Sequence, residues 1–407
     1  MKNFKHSCGV ALWFMFLTLP LLGVRVNTIK SEVEWRWLSI LWVGLGAFVL
    51  SYFWRWSLQR RQGQPKRPQG GAAEPAAPGL LQRLLEEPGL YRPMLGAILL
   101  ATVIFPWLVD TYQVNIMILA LIFVVLGLGL NITVGLAGLL DLGYIAFFAV
   151  GAYAYALLNL HFGLGFWLCL PIGGLLGALF GVLLGFPILR LRGDYLAIVT
   201  LGFGSIAKIV LENWDTVFYG AAGIANIDRP GLFGLDLKLT AVTTYTYYLM
   251  LLLVAFTIFV TNRLKDSRIG RAWMALREDE IACVAMGVDM ARTKLSAYAL
   301  GAFWAGLVGV IFAARNTYIN PNSFTFMESA MVLSIVVLGG MGSIIGVIIA
   351  ALVLILMPEY LRAFSEYRML VFGAVMVLMM IFRPQGLIAN VRKTYAYRKA
   401  AAEQAHG

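Results

Sequence analysis

The sequence is poor in the residues that most catalytic and metal sites require. Its 407 residues include three cysteines and three histidines, and only 13% are Asp, Glu, Lys or Arg. The cysteines, Cys8, Cys169 and Cys283, have no metal-ligand spacing, so they predict neither a metal site nor a disulfide framework. The histidines are scattered, and no acid, base or metal cluster indicates an enzyme. No G-x-x-x-x-G-K-[ST] loop for nucleotide phosphates occurs either.

Long apolar runs are what the sequence has in abundance. Apolar residues make up 60% of the chain, and the mean hydropathy is +0.80. Runs of about 17 to 25 residues recur, each long enough to cross a hydrocarbon core of roughly 30 Å as a helix. They do not alternate as barrel strands do, so we predict an all-α polytopic membrane protein with ten to twelve transmembrane segments. The segments are expected near 8–24, 38–54, 93–109, 113–131, 136–158, 166–189, 195–213, 244–260, 295–313, 328–342, 343–358 and 368–382.

The basic residues predict the orientation in the membrane. The net charge of +11 is typical of the excess of Lys and Arg in cytoplasmic loops, and we prefer that interpretation to nucleic-acid binding. These residues concentrate in 55–92, in 262–294 and in the C-terminal tail, which fall on one side when the segments are counted. The intervening 213–243 and 314–327 carry few, and 25–37 is the exception. Both termini are therefore expected to be cytoplasmic.

Composition and hydropathy divide the chain into four parts. We expect an N-terminal two-helix membrane extension over 1–57 and a flexible cytoplasmic linker over 58–92, which is rich in Pro, Gly and Ala. The main transmembrane domain is expected over 93–388 and contains a charged cytoplasmic loop at 262–294. A cytoplasmic tail is expected over 389–407.

Two transmembrane segments are interrupted by glycine, at 127–152 and at 336–346. Transporters place such discontinuous helices along a solute path, where freed backbone groups face a cavity. The first segment therefore supplies the candidate path residues, which are Asn131, Gly135, Gly138, Asp141 and Gly143. An ionisable residue inside a membrane suggests function by default. The alternative for Asp141 is that its carboxylate only caps backbone N–H groups at a helix break.

A charged, helix-forming stretch stands out near the C-terminal third of this apolar chain. Asp279 is a suitable N-cap, Gly287 can take the left-handed conformation that ends a helix, and Asp289 can cap the next helix. The stretch predicts a short cytoplasmic helix whose apolar face is available to a protein partner. The alternative is a helix lying along the membrane surface. The candidate docking residues are Arg277, Glu278, Asp279, Glu280, Ala282, Ala285 and Gly287.

Four stretches together resemble one known family. They are "NITVGLAGLLDLGYIAFFAVGAYAYALL" (131–158), "LRLRGDYLAIVTLGFGSIAKIVLENW" (189–214), "SRIGRAWMALREDEIACVAMGVD" (267–289) and "RPQGL" (383–387). They resemble the permease subunits of bacterial branched-chain amino acid ABC importers of the LivM type, over about 113–388. The resemblance implies the ABC importer permease fold and a role for the 262–294 loop in coupling to ATPases. The wider superfamily carries E-A-A-x-x-x-G in that loop, and here the glycine comes one position later.

The resemblance also implies the partners and the compartment. It implies a second homologous permease, two cytoplasmic ABC ATPase subunits, a periplasmic amino acid binding protein and the bacterial inner membrane. ATP would be hydrolysed by the partner subunits, and no cofactor is expected in this chain. The implied solutes are leucine, isoleucine and valine. Related permeases for urea, other amides or other amino acids are similar, and a self-sufficient secondary transporter is the alternative from another class.

Overall fold

The computed structural model of the chain describes residues 100–188, 191, 193–231, 239–360 and 386–388, the short stretches 24–27 and 32–35, and the isolated helical residues 15, 373 and 377. The chain divides into two compact units, residues 1–91 and 92–407. In the first unit, β1 (Val24–Asn27) pairs antiparallel with β2 (Glu32–Trp35). The expected linker at 58–92 and tail at 389–407 lie outside the described residues. So do nearly all residues of the helices expected at 8–24, 38–54 and 368–382.

The described part of the second unit is almost entirely helical, beginning with a helical segment at 100–108. Its further helices are α1 (Thr111–Leu130), α2 (Ile145–Phe162), α3 (Phe166–Ile188), α4 (Asp194–Asn213), α5 (Asp215–Phe218), α6 (Leu239–Lys265), α7 (Arg268–Glu278), α8 (Glu280–Ala285), α9 (Met290–Asn316), α10 (Phe326–Gly339) and α11 (Ile344–Tyr360). Within the described ranges, seven helices are long and apolar enough to cross a membrane, and Ile344–Glu359 is a shorter apolar helix. The predicted all-α polytopic membrane fold is confirmed.

Helix α9 forms the buried centre of this unit. Of the residues in the most apolar 18-residue stretch of α9, 78% are buried inside the protein. In the corresponding stretch of α4 only 17% are buried, so the apolar side chains of α4 face outward. Tyr298 and Trp304 on α9 are among the largest fully buried side chains. Lipid tails are as apolar as the helix surfaces, so the hydrophobic effect does not drive helices together within a membrane. Close packing of small residues has to stabilise the buried centre instead.

Small residues at every fourth position supply that packing, in one stripe on α3 and a second on α9. The stripes are Gly173, Gly177, Gly181 and Gly185, and Ala297, Gly301, Ala305, Gly309 and Ala313. A Cβ placed on Gly177 of α3 would lie 2.5 Å from the carbonyl oxygen of Ala302, so α3 and α9 approach backbone to backbone. The second stripe, on α9 itself, faces other helices: Gly301 lies against α1, and Gly309 lies against the carbonyl of Phe148 on α2. The two stripes are packing surfaces, as their spacing predicts, and α9 is packed on several sides at once.

The described loops gather at two ends of the bundle. At one end lies β3 (Ile224–Ala225), which pairs with β4 (Tyr318–Ile319), and we call this the β3–β4 end. At the other lies α8, and we call this the α8 end. Helix α9 joins the two, because it starts directly after α8 and ends directly before β4; at about 1.5 Å per residue its 27 residues are long enough to cross a bilayer. The break after α1 belongs to the α8 end.

Candidate functional site

The first glycine-broken segment is a widened helical turn. After α1 the chain continues as a π-helical turn, Asn131–Leu136. The side chain of Asn131 is fully buried, and its Oδ1 accepts a hydrogen bond from the backbone N–H of Gly342 at 2.8 Å. Gly342 lies in the tight turn between α10 and α11 and has a φ of 84°. The two glycine-broken segments therefore meet, and Asn131 joins them.

Glycine is required here because of close approach. A Cβ on Gly135 would lie 1.9 Å from Oδ1 of Asn131 and 2.6 Å from the nitrogen of Gly342. A Cβ on Gly143 would lie 2.1 Å from the carbonyl oxygen of Thr200 on α4. Such distances cannot be accommodated without moving backbone, so even alanine would force these elements apart. In this structure the predicted path residues form a tightly packed junction between helices.

Asp141 lies between two membrane helices and is fully buried. Its Oδ1 accepts a hydrogen bond from the backbone N–H of Gly143 at 2.9 Å. Burial raises the pKa of this carboxyl from 3.8 to about 7, and the bond from Gly143 works in the opposite direction. This bond closes a local turn ahead of α2, whose N-cap residue is Tyr144 and which has no side-chain capping bond. The capping interpretation of Asp141 therefore stays a prediction, and so does a role for Asp141 in a solute path.

The charged stretch forms the short capped helix that the sequence predicts. Asp279 is the N-cap of α8, and its Oδ1 accepts hydrogen bonds from the N–H groups of Ile281 and Ala282 at 2.8 and 3.1 Å. Gly287 ends the turn with a φ of 82°. Asp289 caps α9 by accepting from the N–H of Arg292 at 3.1 Å. The helix covers Glu280–Ala285, between the expected N-cap Asp279 and the expected terminating Gly287.

Most of the apolar surface of α8 is uncovered. Cys283 is its one buried residue. Ile281 is 69% exposed, Val284 is 52% exposed, and Met286 directly after the helix is 83% exposed. Ala282 and Ala285 are exposed as well. An exposed apolar patch on a rigid, capped element is typical of a surface that binds another protein or a membrane.

An ion pair fastens α8 to the central helix. Nζ of Lys294 lies 2.8 Å from Oε1 of Glu280, and the Lys294 side chain is 1% exposed. Next to it, the buried indole of Trp273 on α7 donates to the carbonyl of Thr293 at 3.1 Å. The ion pair therefore joins α8 to the first turn of α9. The sequence pattern predicts no functional role for Lys294; its one signal is a cation at the start of an apolar run.

A second contact connects the charged stretch with the junction. Arg277, at the end of α7, donates from Nη1 to the carbonyl oxygen of Gly135 at 2.6 Å. Its side chain also packs against Gly138, which has a φ of 74° and where a Cβ would lie 2.7 Å from Cγ of Arg277. The structure thus brings together two groups of residues that the sequence predicts separately. Among the described residues, no group of three or more potential metal ligands lies close together.

These features define a class of protein. The described residues form a bundle of apolar helices, two glycine-broken helices meet inside it, and a short capped helix lies at one end with its apolar side uncovered. This is the architecture of a multi-pass membrane transport component.

Comparison with known proteins gives the family. The model of the family described as "Branched-chain amino acid transport system / permease component" matches residues 112–380. The chain belongs to this family. It is 45% identical to the high-affinity branched-chain amino acid transport system permease protein LivM of Escherichia coli K12, covering 96% of this chain and 94% of that protein. The LivM protein of Salmonella typhimurium is 43% identical with the same coverage.

A shorter match links the chain to a different permease. The high-affinity branched-chain amino acid transport system permease protein LivH of Escherichia coli K12 is 31% identical over 142 residues, which cover 34% of this chain and 44% of that protein. No solved structure matches the chain.

Proposed function

We propose that this chain is the transmembrane permease subunit of an ATP-driven importer for leucine, isoleucine and valine in a bacterial inner membrane. The printed names of the LivM relatives support the solute class, because they match along nearly the whole chain. The partial likeness to LivH supports pairing with a second, homologous permease. A periplasmic amino acid binding protein would deliver the solute, and two cytoplasmic ATPase subunits would supply the energy.

One observation carries the coupling role: α8 is capped at its N-terminus, uncovered on its apolar side and fastened to α9. We infer that its exposed residues dock in a groove of an ATPase subunit, as an amphipathic helix does. Closure of the ATPases would then displace α8. The Glu280–Lys294 ion pair would pass the displacement to α9, and Arg277 would pass it to the glycine junction.

The orientation follows from the same assignment. The α8 end would be cytoplasmic, as would both termini, and the β3–β4 end would be periplasmic. The basic residues of 262–294 support this, since cytoplasmic loops carry the excess of Lys and Arg.

Reconstitution tests the proposed function. The full chain would be purified with the subunits that accompany it and placed in proteoliposomes with the binding protein. We expect labelled leucine to accumulate only with ATP, and a variant of the ATPase subunit that binds but does not hydrolyse ATP to accumulate none. Accumulation driven by an ion gradient without ATP would instead identify a self-sufficient secondary transporter.

A further inference from the structure

A cavity of about 410 Å³ lies between α1, α2, α10 and α11. Its lining includes Phe312 near the last turns of α9 and Ser323 in the loop before α10, which place it toward the β3–β4 end. Small-molecule sites in proteins measure roughly 300 to 1,000 Å³. The cavity is therefore large enough to hold a small solute. It contains none of the residues predicted for the solute path at 131–143.

The lining is apolar with two exceptions. Helix α1 contributes four aliphatic or aromatic side chains, Leu119, Ile122, Phe123 and Leu126, and α11 contributes Leu354 and Ile355. The exceptions are Ser323 and Glu328.

The two polar residues differ in what their side chains bind. The hydroxyl of Ser323 donates to Oδ1 of Asn320 at 2.9 Å, so it is already engaged in its own turn. Among the described residues that line the cavity, Glu328 is the one with a charged side chain. Its carboxylate has no hydrogen bond or ion pair within the part of the chain that the structure describes. A carboxylate in an apolar wall is costly unless a cation or donor meets it.

Helix capping does not account for this carboxylate. Thr325 and Glu328 have the Thr-x-x-Glu spacing of a capping box, in which each side chain binds the other residue's backbone N–H. Thr325 is the N-cap of α10, but its side chain makes no capping bond. The bond that is formed runs between backbones, from the N–H of Glu328 to the carbonyl of Thr325 at 3.1 Å. The carboxylate of Glu328 is therefore free of a capping role and faces the cavity. Its negative charge still interacts favourably with the positive N-terminal end of the α10 dipole.

We propose that this cavity binds an aliphatic amino acid, with the ammonium group of the solute against Glu328 and its branched side chain among the apolar residues of α1 and α11. This inference rests on the proposed function and adds a binding subsite to it. The ammonium supplies the cation that the carboxylate lacks, in a charge-assisted hydrogen bond. The described lining holds no cation for the carboxylate of the solute, so that group must face water at the open side of the cavity. The aliphatic side chain leaves water for a wall of Leu, Ile and Phe.

The arrangement makes a prediction about solute analogues. 3-Methylbutylamine keeps the amine and the branched chain of leucine, so it should compete with leucine for the cavity. 4-Methylpentanoate keeps the branched chain and lacks the amine, so it should compete poorly. Glycine keeps the amine and lacks the aliphatic side chain, so it should also compete poorly.

Direct binding tests the subsite without the binding protein. Labelled leucine would be titrated onto the permease complex, purified with its partner subunits and held in nanodiscs. Saturable binding is expected for the native complex, and Glu328→Gln should weaken it about ten- to a hundredfold through loss of a charge-assisted bond. Glu328→Asp should recover part of the affinity. The matched control is Glu359→Gln: Glu359 follows the lining residue Pro358, but it already accepts a hydrogen bond from the hydroxyl of Tyr112.

A second variant keeps the test decisive if Glu328→Gln fails to assemble. Met331→Trp fills the cavity from α10 and leaves Glu328 in place, so it should also weaken leucine binding. Assembly is monitored through copurified ATPase subunits and basal ATP hydrolysis. The subsite is refuted if the native complex shows no saturable binding, or if assembled Glu328→Gln and Met331→Trp complexes bind like the control. ATP-driven leucine uptake by the native complex would still uphold the proposed function, whereas its absence would refute that function itself.

Discussion

The guanidinium of Arg277 donates to the backbone carbonyl of Gly135 across 2.6 Å. Gly135 belongs to the π-helical turn, where the widened backbone leaves carbonyl groups available to outside donors. Arg277 is two residues from Asp279, the N-cap of α8. A side chain that precedes α8 thus holds a buried turn inside the bundle.

Removing this contact should uncouple ATP hydrolysis from transport. Arg277→Ala leaves the Gly135 carbonyl without its charged donor, which we expect to cost about 1.5 to 3 kcal/mol. The measurement is the ratio of leucine transported to ATP hydrolysed in proteoliposomes, and we expect it to fall severalfold. Arg292→Ala is the control, because the Arg292 side chain is 90% exposed and its one ion pair within the described residues is with Asp289, three positions away. An unchanged ratio in Arg277→Ala would contradict the link.

The ion pair between Glu280 and Lys294 should be strongly coupled in stability. Glu280→Gln leaves the ammonium of Lys294 buried without its counter-ion, which should lower the free energy of unfolding by about 3 to 5 kcal/mol. Adding Lys294→Met removes the stranded charge and should restore most of the loss. Thermal unfolding of the four proteins in detergent gives the coupling energy. Additive effects of the two substitutions would mean that the pair is not formed.

The carboxyl of Asp141 should make stability depend on pH. Its pKa is raised from 3.8 to about 7 in the folded chain, so folding favours the protonated form. The associated stability is fully present below pH 3.8 and is lost as pH rises through about 7, by at most about 4 kcal/mol. Asp141→Asn keeps the oxygen that accepts from Gly143 and cannot titrate. Its melting temperature should therefore change less than that of the native chain between pH 4 and 8; parallel pH profiles would refute this.

The exposed face of α8 should be sensitive to charge. Ala285→Arg puts a long cation on the proposed docking face, and burying it unpaired should cost several kcal/mol, about 2 or more. We expect a permease that still inserts but copurifies with less ATPase. Ala221→Arg, at an exposed position near β3, provides the control. Full ATPase recovery and full transport in Ala285→Arg would assign α8 to lipid or solvent instead.

Labelling can determine the orientation directly. Arg292 and Asn226 are both exposed and lie at opposite ends of the bundle. In a background without Cys8, Cys169 and Cys283, a cysteine at 226 should react with an impermeant reagent in intact cells. A cysteine at 292, which lies outside α8, should react only after the membrane is opened. The reverse pattern would invert the proposed orientation.

Features that depend on local sequence could be predicted. The apolar runs predict the membrane helices. Asp279 and Gly287 predict the short helix, because an N-cap and a left-handed glycine act on their own neighbours. The segments expected at 328–342 and 343–358 are present as α10 and α11, with a turn between them in which Gly340 and Gly342 have φ values of 103° and 84°.

Features that depend on tertiary contacts could not be predicted. Arg277 has a strong local role as a helix-terminal cation, and nothing near it in the sequence indicates Gly135, 142 residues away. Glycine patterns in 127–152 predict a broken helix, but they do not distinguish a solute path from a close-packed junction. The cavity at Glu328 is formed by side chains from separate helices, so no single stretch contains its pattern.

The hydrogen bond between Asn131 and Gly342 also affects how the protein is made. Its two residues lie 211 positions apart. At about 5 to 20 residues per second, a ribosome needs roughly 10 to 40 s to synthesise that interval. During this time Gly342 has not yet been synthesised. The side-chain oxygen of Asn131, at the end of the newly inserted α1, therefore lacks the N–H group from which it accepts a hydrogen bond in the folded chain. Biogenesis therefore includes a waiting period, and a chain that stops before Gly342 would expose this amide to membrane quality control.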